Sequence, residues 1–174
     1  MIDHTQTQEV RFSDETLQKA QEIIKRYPEG REKSALLPLL HLAQNEWNWL
    51  SVPAMDYVAS LLNIQPIEVY EVATFYTMFQ LEPVGKYVLE VCRTGPCCLR
   101  GAEQTLEYIE NKLGIKTNQT TPDGRFTIRT VECLAACGGA PVLQVRLKTE
   151  GGIHKYYENL TPEKIDELVD KEWV

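Results

Sequence analysis

The side chains best placed to do chemistry are four cysteines in two short segments. Val91-Cys92-Arg93-Thr94-Gly95-Pro96-Cys97-Cys98 holds a C-x4-C pair, and Glu132-Cys133-Leu134-Ala135-Ala136-Cys137-Gly138-Gly139-Ala140-Pro141 holds a C-x3-C pair. Structural zinc favours C-x2–4-C knuckles, so it suits the second pair better than the first. Thiol–disulfide exchange wants C-x-x-C, which neither pair supplies. A [2Fe–2S] cluster takes four thiolates and accepts a C-x4-C spacing. On spacing alone a cluster, a zinc ion and a role without metal all stay open.

The elements around the cysteines explain how they are brought together. Each pair ends an apolar, β-like run, Tyr87–Val91 for the first and Phe126–Val131 for the second. Two strand ends that each release a cysteine-bearing loop can form a four-thiolate cage. Gly95, Gly138 and Gly139 allow the backbone to approach an inorganic group closely. Leu99, Ala102, Leu106, Ile109 and Leu113 share one helical face and Gly114 supplies a stop, which predicts a helix over 99–113. Its unpaired N–H groups would begin beside the first pair, near Arg93 and Arg100, both read as solvated surface residues. Pro122-Asp123-Gly124 marks a turn. Val142–Leu147 alternates as a third strand, and Gly151-Gly152 turns it into a fourth, Ile153–Tyr157. Thr161-Pro162-Glu163 caps a last helix through Val169.

Upstream the periodicity is helical. Ser13 caps a helix to Tyr27, with Leu17, Ala20, Ile24 and Tyr27 inward and Pro28 as its end. Residues 34–47 place Leu36, Leu39, Leu40, Ala43 and Trp47 on one side. Ser51-Val52-Pro53 opens a third helix with Met55, Val58, Ala59 and Leu62 inward. Gln65-Pro66 opens a fourth with Val69, Tyr70, Ala73 and Thr77 inward. The run Phe75-Tyr76-Met78-Phe79 reads as core or subunit contact. The expected organisation is α+β: a helical subdomain over 1–82, with 1–12 a flexible tail, and a second domain over 83–174.

Composition narrows the function. A net charge of −7 with 25% charged residues is ordinary for a soluble chain. The third and fourth helices have helix-turn-helix spacing, but the fourth offers Glu68 and Glu71 and no Lys or Arg, so nucleic acid is not expected as a partner. No apolar run reaches the length of a membrane span, so direct membrane insertion is not expected. The polar start Met1–Glu9 resembles neither a secretory signal nor an Arg-rich transit segment, which points to the cytoplasm. Five cysteines cannot all pair within one chain, and reduced cysteines more often bind metal. His4, His41 and His154 are dispersed outside any ligand pattern. No Gly-rich nucleotide loop follows a strand, so NADH and flavin sites are not expected here.

Cys92-x4-Cys97 followed by Leu99-Arg100, and Glu132-Cys133-Leu134-x-x-Cys137-x-x-Ala140-Pro141, resemble the thioredoxin-like [2Fe–2S] ferredoxin family. Within it they resemble the 24-kDa (E-type) subunits of NADH:quinone oxidoreductase, complex I. The likeness extends through Glu71–Met78 and Pro83–Tyr87 and covers most of the chain from about Ser34. It implies a thioredoxin-like ferredoxin domain with one [2Fe–2S] cluster held by Cys92, Cys97, Cys133 and Cys137, and no catalytic residue of the chain's own. It also implies a flavin/NADH-binding (F-type, 51-kDa) partner subunit that carries FMN and NADH, further peripheral-arm subunits, and a place on the cytoplasmic peripheral arm of a membrane-associated complex. NAD-linked hydrogenases and formate dehydrogenases use the same subunit type, and a zinc-stabilised adaptor would use the same cysteines without redox chemistry. Cys98 departs from the family, which places a larger or apolar residue there. It reads as a small buried side chain. Lying about 3.8 Å along the chain from Cys97, it is expected to stand in when Cys97 is lost. Pro141 is expected to follow a cis peptide bond.

Overall fold

The computed structural model describes residues 10–147 and 154–173. They form two compact units that divide between Pro83 and Val84.

The first unit is four helices: α1 Asp14–Ile24, α2 Leu36–Trp47, α3 Val52–Leu62 and α4 Pro66–Phe75. Their starts are set by local chemistry. The Ser13 hydroxyl accepts from the Thr16 N–H, the Ser51 hydroxyl accepts from the Ala54 N–H, and the Glu68 carboxylate accepts from the Gln65 N–H. Asn48 and Asn63 end α2 and α3 in the left-handed conformation, which asparagine adopts at low cost. Leu36, Leu39, Leu40, Ala43, Met55, Val58, Ala59, Leu62, Val69 and Ala73 are buried together, as their spacing predicts.

Two expectations for this unit need correction. Of the tail expected over 1–12, residues 1–9 lie outside the described residues, but Phe12 is buried and stacks on Trp47 with ring centroids 5.0 Å apart. The apolar content of the segment before Ser13 is therefore used in the core. Thr77 is exposed because α4 stops at Phe75 and the chain turns extended at Tyr76. In the aromatic run, read as core or subunit contact, Phe79 is buried in the core and Phe75 is 76% exposed.

The second unit is a four-stranded sheet in the order β2-β1-β3-β4, with β1 Tyr87–Cys92, β2 Phe126–Val131, β3 Leu143–Leu147 and β4 His154–Tyr157. β1 and β2 are parallel; the other two pairings are antiparallel. The expected Gly151-Gly152 hairpin lies outside the described residues. Between β1 and β2 run α5 Gly95–Leu99 and α6 Ala102–Leu113, and α7 Pro162–Glu167 follows β4. Leu89, Val91, Ile109, Ile128, Leu143, Val145, Ile165 and Trp173 share one core. The last helix does not run as one α-helix to Val169. It widens into a π-turn over Leu168–Glu172, which carries Trp173 inward, where its indole N–H donates to the Tyr157 hydroxyl at 3.2 Å.

The helix predicted over 99–113 is two helices. Gly101 sits at φ +95°, a left-handed conformation that breaks the ladder and resets the rotation of α5 against α6. Ala102 and Ile109 stay on the buried face, but Leu99 is out of register with them and 90% exposed.

Candidate metal centre

Sheet topology brings the cysteines together. β1 and β2 are parallel and in register, with Cys92 opposite Val131, so both release their loops at the same end of the sheet. Cys92 closes β1, and Cys133 follows β2 by two residues. β3 runs antiparallel to β1 and starts at that same end, where the Cys92 N–H donates to the Val142 carbonyl at 3.1 Å. The loop carrying Cys133 and Cys137 therefore leaves and returns beside the loop carrying Cys92 and Cys97.

The first pair is buried. Cys92 and Cys97 are each 2% exposed and pack with Ala102, Ala140 and Val142, with Leu134 and Ala136 against them. Burial pushes the Cys92 thiol up. Hydrogen bonds from the Thr94 hydroxyl, the Leu134 and Thr94 N–H groups and the Cys97 thiol outweigh that and hold it below the ordinary thiol range. Cys97 is pushed up to about 11, first by burial and then by its bond to Cys92.

The second pair is exposed. Ala135 takes φ +58°, and its N–H donates to the Cys133 sulfur at 3.4 Å. Cys137–Gly139 form a 3₁₀ turn closed by the Gly139 N–H on the Ala136 carbonyl at 3.0 Å. Cys137 is raised by what desolvation it has and then by neighbouring Cys133, with Cys92 adding a smaller repulsion. The sulfurs thus form two close pairs that feel each other's charge. The Ala140–Pro141 bond is cis, as expected from its place before β3.

Residues 20–172 match the family described as thioredoxin-like [2Fe-2S] ferredoxin. The chain belongs to the thioredoxin-like [2Fe–2S] ferredoxin family. It is 48% identical over 161 residues to the E-type subunit of NADH-quinone oxidoreductase from Rickettsia conorii, covering 92% of each chain, and 47% identical over the same share to its counterpart from Rickettsia bellii. Its fold is similar to part of an NAD+-reducing [NiFe]-hydrogenase crystal structure. The TM-score is 0.67 at 23% identity over 79% of this chain, which spans 22% of that hydrogenase chain.

The cofactor of a [2Fe–2S] ferredoxin is one [2Fe–2S] cluster, and the donor set here fits it. Thiolates are the soft ligands iron–sulfur clusters prefer. Two thiol pairs match the two irons of such a cluster. A Cβ built on Gly95 or Gly138 would meet no atom within 4 Å, so both glycines border open space.

Around this ferredoxin centre the rim is exposed. Arg93 faces Glu103 at 3.8 Å, and the Arg100 Nε–H donates to the Ala140 carbonyl at 3.5 Å. Cys98 is exposed, contrary to the buried reading, because it lies on the outer side of α5. It is α5, and not a helix starting at Leu99, that begins between the first two cysteines. Two residues that touch the Cys92 sulfur were missed in the sequence. The Leu134 N–H depends on loop conformation and has no sequence signal. Thr94 had one: a threonine two residues after a cysteine and directly before Gly-Pro, at the start of a helix.

Proposed function

We propose that this ferredoxin is an electron-transfer subunit of NADH:quinone oxidoreductase in which Cys92, Cys97, Cys133 and Cys137 hold the cluster. When bound, the [2Fe–2S] cluster supplies a one-electron store that exchanges with FMN in a flavin/NADH-binding (F-type, 51-kDa) partner subunit. The observation that carries the reading is the meeting of two thiol pairs at one end of the sheet, in a chain that matches the Rickettsia oxidoreductase subunits over 92% of its length. Cys92 and Cys97 anchor the site in the apolar floor. Cys133 and Cys137 leave its outer edge open to an electron partner.

The helical residues 1–82 are assigned to docking and residues 83–174 to the cluster. From 34 to 85 the sequence has no Lys or Arg, and Ile67 and Phe75 stand exposed on α4, a surface of the kind that partner subunits cover. Among the described residues no helix is long and apolar enough to cross a membrane. A place on the cytoplasmic peripheral arm, with other arm subunits, agrees with that. The likeness to the hydrogenase shows the fold alone, so the parent complex is read from the Rickettsia relatives.

The test is anaerobic purification of the full chain. Two irons and two sulfides per chain, with an EPR signal on reduction, are expected. Colourless protein with stoichiometric zinc sinks the reading. The isolated chain is expected not to bind NADH, and a measured NADH affinity would overturn the division of labour.

A further inference from the structure

Among the described residues, four helices start at a serine or threonine N-cap. Three of these residues use their hydroxyl in the usual way. Ser13, Ser51 and Thr161 accept from the N–H groups of Thr16, Ala54 and Lys164. The fourth, Thr94, makes no such bond to α5. Two positions on is Pro96, which has no N–H to give. The Thr94 hydroxyl lies instead 3.4 Å from the sulfur of Cys92, half-buried beside the first cysteine pair.

We propose that Thr94 is a positioning residue for the redox centre, whose hydroxyl donates a hydrogen bond to the ligating Cys92 sulfur and raises the midpoint potential of the cluster. The inference rests on the reading in which Cys92 is a ligand. A free Cys92 thiol and Thr94 could each donate to the other. A sulfur bonded to iron carries no proton, so the hydroxyl becomes the donor of the pair. One-electron reduction adds one negative charge, part of which resides on the cysteine sulfurs. A fixed donor stabilises that charge more in the reduced state than in the oxidised state, so the potential rises. Partial burial keeps the bond from being replaced freely by water. Cys92, as buried as Cys97, is an enclosed place for such control, whereas the exposed pair can take donors from solvent.

The experiment uses the full chain, purified anaerobically as wild type, Thr94→Val, Thr94→Ala and Thr94→Ser. Iron and sulfide content, EPR and a potentiometric titration are read for each. Val and Ala are expected to keep wild-type iron and sulfide, to shift the midpoint to more negative potential and to displace the EPR g-values. Ser, which keeps the hydroxyl, is expected to restore the wild-type midpoint. If Val and Ala hold full clusters at the wild-type potential, the inference falls while the cluster reading stands. Loss of iron from both Val and Ala would make Thr94 a scaffold residue and also overturn it. Wild type without iron and sulfide would remove the ligand assignment itself, a failure visible before any variant is compared.

Discussion

The two cysteine loops reach one site by opposite means. Cys92 and Cys97 sit on regular elements, the last residue of a buried strand and the first turn of a helix, and both side chains are buried. Cys133 and Cys137 sit on a loop shaped by a left-handed Ala135, a 3₁₀ turn and a cis proline, and both are exposed. On the proposed ligand set the difference assigns two jobs. A buried pair on regular structure would fix the centre and exclude water. An exposed pair on a shaped loop would leave a short path for an electron to leave or enter.

Removing one thiol from each loop is expected to show the largest difference between them. Cys92→Ala and Cys97→Ala leave an apolar vacancy that neither water nor an added thiol can enter, so nearly all iron is expected to be lost. Cys133→Ala and Cys137→Ala leave a vacancy open to solvent. A small thiol such as 2-mercaptoethanol is expected to restore a good part of their iron and sulfide. Equal rescue in both loops, measured as iron per chain, would show that burial does not divide them.

A second test concerns what holds the exposed loop. A Cβ built on Gly139 would lie 2.6 Å from both the Cβ and the Cδ of Glu158, and the Asn159 and Leu160 N–H groups donate to the Gly139 and Pro141 carbonyls. The segment after β4 therefore packs directly on this loop. Gly139→Val should cost about 1–3 kcal/mol in denaturant unfolding, as overpacking does, and should lower iron retention. Adding Glu158→Ala should recover part of both. Gly138→Ala, with nothing within 4 Å of its Cβ, should be close to neutral. If the two glycine positions behave alike, the loop is not held this way.

How legible the site was in the sequence follows the same division. Strand limits were nearly right at β1, and right at β2, because apolar alternation there is bounded by clear turn residues. The four thiols could be brought together in thought because two strand ends suffice. What could not be read was the rotation of short segments. Gly101 looked like one more helical residue, yet its left-handed φ turned Leu99 outward. Ala135 gives no sign of a positive φ, since alanine rarely adopts one. Thr94 entered no sequence reading, because the helix it precedes was not expected to begin before Leu99.

A smaller effect separates general stability from the site. Glu110, on α6 away from both loops, accepts from the Thr117 N–H and hydroxyl, both at 2.8 Å. Its carboxyl is held at about 2, first by Lys116 and then by Thr117. A depressed folded value means the stabilisation is complete above the unfolded value of about 4.3 and is lost as pH falls toward 2. Lys116 is largely exposed, so its ion pair is screened and the Thr117 bonds carry most of the effect. Glu110→Gln should lose about 1 kcal/mol near pH 7, with the gap to wild type closing between pH 4 and 2 and iron content unchanged. A gap that stays constant to pH 2, or a loss of iron, would mean this carboxylate acts otherwise.

The smallest effect is expected at Cys98, and it tests how firmly regular structure fixes the buried loop. Adjacency to Cys97 made Cys98 a reserve ligand in the sequence. The helix argues the reverse. Successive residues on a helix point about 100° apart, and here Cys97 is buried while Cys98 faces solvent. Bringing Cys98 inward would turn α5 by about that angle and break the bonds from the Cys98 N–H to Thr94 and from the Gly101 N–H to Cys98, at 3.0 and 3.1 Å. It would also move Thr94 away from the Cys92 sulfur. Cys98→Ser is therefore expected to match wild type in iron, EPR and midpoint potential. Cys97→Ser and the double change Cys97→Ser with Cys98→Ser are expected to lose the same amount of iron. If the double variant holds clearly less than Cys97→Ser, then α5 can rotate, Cys98 does stand in reserve, and the first loop is less rigid than its secondary structure indicates.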